Sequence, residues 1–126
     1  MGTAILVKRK PVRINYSVNT TVYERAIELA ATMNLTVPQV LTHLIPQVLA
    51  RPEPQWRPTL AVLRMHGPQN RQEFANVPED LLKDGEENFL PGAETPLERG
   101  RLAAMVLNYY VAGVITLNVK VELNEP

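Results

Sequence analysis

The chain contains no cysteine among its 126 residues, which excludes disulfides, thiolate metal sites and cysteine nucleophiles. It also lacks net charge, with 13 basic side chains against 13 acidic ones, so there is no uniform basic coat to attract nucleic acid. No stretch comes near the roughly 18 apolar residues needed to span a membrane. The opening Met1–Val7 is a short apolar run with Lys8-Arg9-Lys10 behind it, the reverse of the order in a secretory leader. The expectation is a cytoplasmic protein with no membrane partner.

Clusters that carry chemistry are equally scarce. His43 and His66 have no carboxylate cluster beside them and do not compose a metal site. Glu79-Asp80 and Glu86-Glu87 lie in turn-rich sequence without a nucleophile or oxyanion motif, and read as solvated acids. No glycine-rich phosphate loop occurs. Trp56 and Tyr109-Tyr110 read as core or interface aromatics rather than as stacking platforms for single strands. The expectation is a protein that is not an enzyme and needs no cofactor or metal. No internal repeat of fixed period and no low-complexity tract stand out.

Apolar content is 45% and charged content 21%, the balance of an ordinary globular chain. Charge is nevertheless unevenly spread. Residues 1–53 carry six basic side chains (Lys8, Arg9, Lys10, Arg13, Arg25, Arg51) and three acidic ones (Glu24, Glu28, Glu53). The front is therefore +3 and the back −3. The four basic residues at positions 8–13 have no acid among them, a patch that the overall average conceals.

The most informative segment follows directly. Val12, Ile14, Tyr16 and Val18 alternate with Arg13, Asn15 and Ser17, which predicts a strand with one buried face. Asn19-Thr20-Thr21 offers N-cap side chains, and Val22, Ala26, Leu29, Ala30 and Met33 recur at helical spacing, predicting a helix over 20–33 that breaks at Asn34. Thr36-Val37-Pro38-Gln39 has the form of a capping box. Behind it Val37, Val40, Leu41, Leu44, Ile45, Val48 and Leu49 make a strongly amphipathic second helix, in which Pro46 predicts a kink or an early end.

Residues 52–58 are rich in proline and read as a linker between a module at 1–51 and a small α+β unit at 59–126. In that unit Thr59–Met65 reads as a short strand. Asn76-Val77-Pro78-Glu79 reads as a capping box opening a short helix that Gly85 stops. Thr95-Pro96-Leu97-Glu98 caps a helix over 96–112 ended by Gly113, and Val114–Asn124 alternates as a closing strand.

One strand and two helices cannot bury their own apolar faces, so residues 1–51 need a partner. Two copies pairing Val12–Val18 antiparallel would share a core of Val12, Ile14, Tyr16, Val18, Leu41, Leu44, Ile45 and Val48. They would present Arg13, Asn15 and Ser17 outward on a ribbon able to enter a DNA major groove. Over about residues 10–50 the sequence resembles the Arc-type ribbon-helix-helix DNA-binding family. The resemblance implies a mostly α N-terminal module with one strand paired across a homodimer, within an overall α+β chain. It implies base contacts from Arg13, Asn15 and Ser17, and a phosphate held at Thr36 and Val37. Beside such a ribbon, Lys8-Arg9-Lys10 reads as an arm lying along further phosphates rather than as a solubilising end. The expected function is sequence-specific binding of double-stranded DNA, as a transcriptional repressor or an organiser of a plasmid or phage site. The C-terminal unit is left for higher oligomerisation, an effector or a protein partner. The alternative is a structural or assembly protein, such as a viral or filament subunit, whose strands pair between copies without DNA.

Overall fold

The alternation at the front of the chain does form a strand, but its partner comes from the same chain. The computed structural model describes residues 10–50, 58–66 and 68–117. Within them β1 (Pro11–Val18) pairs antiparallel with β2 (Arg71–Pro78), Pro11 opposite Pro78 and Val18 opposite Arg71. Around this two-stranded sheet stand α1 (Thr20–Ala31), α2 (Val37–Ala50), α3 (Leu60–Arg64), α4 (Glu79–Phe89) and α5 (Pro96–Val111). The chain is of mixed α and β structure.

Local signals set several boundaries. Asn19 Oδ1 accepts from the Thr21 and Val22 N–H groups at 2.8 and 3.3 Å, satisfying two donors that the first turn of α1 leaves over. The chain leaves that helix through Asn34 in the left-handed region, φ 59°, which asparagine tolerates better than most residues. At α2 the box closes both ways: Gln39 N–H donates to Thr36 Oγ1 at 3.3 Å, and Thr36 N–H to Gln39 Oε1 at 2.8 Å. Thr95 caps α5 through the Glu98 N–H at 3.2 Å. Gly113, φ 81°, takes the left-handed position beyond its end.

The order strand, helix, helix occurs twice, as β1–α1–α2 and as β2–α4–α5, with α3 between. The landmarks recur at a fixed interval. Thr20 and Val37, which open α1 and α2, have counterparts in Glu79 and Pro96, each 59 residues on. The capping residues Asn19 and Thr36 correspond in the same way to Pro78 and Thr95. The two units are crossed: α2 packs against β2, and α5 against β1. Thr42 Oγ1 on α2 donates to the Asn76 carbonyl of β2 at 2.6 Å. One hydrophobic core results, running from Ile14 through Leu41, Ile45 and Val77 to Leu102 and Met105.

This arrangement corrects several expectations. The ribbon does not need a second copy to pair β1, because β2 supplies the opposite strand. Val12 is partly buried, and Ile14, Tyr16, Val18, Leu41, Leu44, Ile45 and Val48 are buried, within a single chain. Those residues expected at a dimer core are therefore already covered. Thr59–Met65 contains a helix, with Thr59 as its cap, rather than a strand. Asn76-Val77-Pro78 belongs to β2, and α4 starts at Glu79 without a side-chain cap. Gly85 does not stop α4; it lies mid-helix where α4 packs closely against the Leu49 side chain. Pro46 does not end α2, which runs on to Ala50, its flanking Leu44, Ile45, Val48 and Leu49 all fully packed. The element order recurs at a fixed interval even though the two units share little sequence.

The elements on either side of the expected linker at 52–58 share that core, and Pro58 is buried; residues 51–57 lie outside the described residues. So do Lys8, Arg9 and the end of the expected closing strand. Residues 114–117 follow α5 as a bend and then chain outside any helix or strand, with Ile115 and Leu117 buried.

Candidate nucleic-acid interface

A two-stranded sheet with helices packed on one side must show its other side to water. The inward positions of β1 are Ile14, Tyr16 and Val18, so Arg13, Asn15 and Ser17 point the other way, the first two exposed and the third half-buried. On β2 the buried positions are Ala75 and Val77, which leaves Gln72, Phe74 and Asn76 exposed. The register joins these six into three cross-strand tiers: Arg13 with Asn76, Asn15 with Phe74, and Ser17 with Gln72.

Polar and cation–π contacts tie the first tier to the middle one and close the third within itself. The Arg13 guanidinium carbon lies 3.9 Å from the centre of the Phe74 ring, an arrangement in which the ring face attracts the cation. Arg13 Nε donates to Asn15 Oδ1 at 3.2 Å, a hydrogen bond in which the two terminal nitrogens take no part. At the other end Gln72 Nε2 donates to Ser17 Oγ at 2.8 Å. Arg13 is the only ionised side chain of the six. The row is polar, supplied with donors and acceptors, and partly pre-ordered.

Sequence reasoning found half of this face. Gln72, Phe74 and Asn76 escaped because the inward positions of β2 do not read as an apolar row: they are Arg71, Glu73, Ala75 and Val77. The first two form an ion pair at 2.7 Å, and the Arg71 guanidinium carbon sits 4.2 Å from the centre of the Tyr23 ring. That charged lid closes the core beneath Tyr16, opposite Glu73 in the register. Burial pushes the Tyr16 phenol far up from its ordinary range, helped by the nearby Tyr23 and Glu73. Its Oη is buried without a hydrogen-bond partner. The detectable signal was the alternation of Gln72, Phe74 and Asn76 with residues ending in Ala75 and Val77.

The flanks of the ribbon come from helix starts. A shallow groove brings Pro96, Leu97, Gly100 and Arg101 of α5 beside Asn15, Ser17 and Gln72. At the start of α2, Thr36 and Val37 were expected to hold a phosphate. There the Thr36 and Gln39 N–H groups are taken by the reciprocal cap and Pro38 carries none, while the Val37 side chain is buried. Lys10 is exposed just before β1, its carbonyl accepting from the Glu79 N–H at 2.8 Å.

Away from the ribbon, further polar contacts tie the helices together. Arg99 on α5 holds Glu86 on α4 through Nε and Nη2 at 2.7 and 2.8 Å, both side chains largely buried. His66 packs edge-on against Tyr109 and faces the Asn108 amide. Among the described residues no group of three acidic or histidine side chains is placed to hold a metal ion, and no helix is long and apolar enough to cross a membrane. Comparison with protein-family models, curated proteins and solved structures finds no match for this chain.

Proposed function

We propose that this chain binds double-stranded DNA by laying the β1–β2 ribbon in the major groove, in the manner of a ribbon-helix-helix dimer whose two halves are carried by one polypeptide. The observation that carries the reading is the outward row of Arg13, Asn15, Ser17, Gln72, Phe74 and Asn76, all but the half-buried Ser17 exposed, on a two-stranded ribbon backed by helices. A ribbon of this width fits the major groove, and these side-chain types are those that pair with base edges there. Repression of transcription, or organisation of a plasmid or phage site, are roles that such binding would serve. The basic run Lys8-Arg9-Lys10 leads into β1 and would add phosphate contacts.

The test is a gel shift of the whole chain on random-sequence duplex across a salt series. Wild-type binding should weaken steeply as salt rises. Arg13→Glu should abolish binding while leaving the circular dichroism spectrum and melting curve unchanged, since Arg13 is exposed and outside the core. Equal binding by both proteins would refute the ribbon as the contact surface.

A further inference from the structure

The ribbon's backbone is nearly two-fold, but its outer side chains are not. The 59-residue correspondence that relates α1 to α4 and α2 to α5 sets Arg13 against Gln72, Asn15 against Phe74 and Ser17 against Asn76 on the outer face. No position carries the same side chain in both units. A symmetric homodimer would display each outward residue twice and would match a palindrome. A single chain is free of that constraint.

We infer that the target is a non-palindromic, A·T-rich duplex with a guanine toward one end, an inference that rests on the duplex-binding reading above. Arginine suits the O6 and N7 acceptors of guanine, asparagine and glutamine the N6 and N7 of adenine, and an apolar ring the thymine methyl group. The outer row holds one arginine, three carboxamides, one phenylalanine and one serine. With serine pairing with either base, its chemistry asks for one guanine and otherwise favours adenine and thymine.

The tiers also fix a polarity. Arg13 and Asn76 share one end, Asn15 and Phe74 the middle, and Ser17 and Gln72 the other end. Alternate strand residues are about 6.6 Å apart and base pairs about 3.4 Å, so each tier advances by about two base pairs. Guanine contact belongs to the first tier, a thymine methyl group to the middle one, and adenine to the last. Two contacts already present favour this reading. Arg13 Nε is occupied by Asn15 Oδ1, which leaves the two terminal nitrogens to address a guanine edge together. Ser17 Oγ holds one N–H of the Gln72 amide, leaving its oxygen and its other N–H for the acceptor and donor of adenine.

The experiment is selection of bound sequences from a duplex pool with a randomised core, using the whole chain. The expected motif has no two-fold symmetry, is rich in A·T pairs and carries a fixed guanine near one end. In the selected duplex, replacing that guanine by adenine should weaken binding about 10- to 100-fold. Arg13→Gln should move the preference at that position from guanine to adenine while the far end stays unchanged; Gln72→Ala should relax the far end alone. A palindromic or G·C-rich motif, or an Arg13→Gln variant that still selects guanine, overturns the inference while leaving duplex binding in place. Failure of the wild type to bind any duplex overturns both.

Discussion

The backbone of Gly100 stands against the carbonyl oxygen of Asn15, so closely that a Cβ built on the glycine falls 2.6 Å from that oxygen. Helix α5 thus rests directly on the strand that presents Arg13 and Asn15. A methyl group there has to displace strand backbone, which is held by the ladder to β2.

Gly100→Ala should accordingly destabilise the chain by about 1–3 kcal/mol, even though alanine favours a helix interior by about 1 kcal/mol over glycine. Denaturant unfolding measures it. An unchanged or higher midpoint would mean that α5 can lift off β1 without cost.

The pair between Arg99 and Glu86 is the ionic contact with most at stake. Their side chains are 16% and 4% exposed, so removing the acid strands a guanidinium that water cannot fully reach. Glu86→Gln is expected to cost about 2–4 kcal/mol, near the range for breaking a buried pair. Glu28→Gln, which removes the exposed partner of Arg25, should cost less than about 0.5 kcal/mol. Similar losses from the two variants in urea titrations would contradict the burial-based ranking.

Because β1 finds its partner in β2 and the core is filled by one chain, unfolding should not depend on protein concentration. A folded state that required a second copy would gain stability with concentration by mass action. Melting curves over a hundredfold dilution should superimpose. A midpoint that climbs with concentration would show that copies associate as they fold.

Burial lowers the His66 pKa from its ordinary value of 6.5, and the Asn108 amide nitrogen, 3.4 Å from Nδ1, is placed to donate to a neutral ring. The folded chain therefore takes up a proton at His66 less readily than the unfolded chain. This contribution to stability is complete above about pH 6.5 and is lost as pH falls through the lower folded value. Between pH 7.5 and 5.5, His66→Gln should flatten part of the decline in melting temperature. Nuclear magnetic resonance titration placing His66 at or above 6.5 would contradict this.

Much of the first half was legible because its signals are local. The alternation of Val12–Val18, the Asn19 cap, the Asn34 break and the Thr36–Gln39 box each act over a few residues, and each has its structural counterpart. The Thr95 cap and the end of α5 at Gly113 were readable for the same reason. What failed was what depends on distant residues. A run such as Leu60–Arg64 is too short for periodicity to separate strand from helix. Gly85 looked like a terminator because no local feature announces the Leu49 side chain packed against it. The repeat stayed hidden because corresponding inward positions differ, Ile14 with Glu73 and Tyr16 with Ala75, so the second strand bears an ion pair where the first bears apolar bulk. Half of the candidate surface was lost with it.

The crossed packing of α2 on β2 and α5 on β1 also governs when the protein can fold as it is made. Synthesis proceeds from the N-terminus at about 5–20 residues per second, so β1, α1 and α2 emerge seconds before the strand and helix that are to cover them. Until then the Ile14, Tyr16 and Val18 row is a half-finished surface, open to the chaperones that recognise apolar chain. The outer row of the sheet is completed only once β2 has emerged, and a nascent chain stalled before Arg71 lacks Gln72, Phe74 and Asn76 altogether.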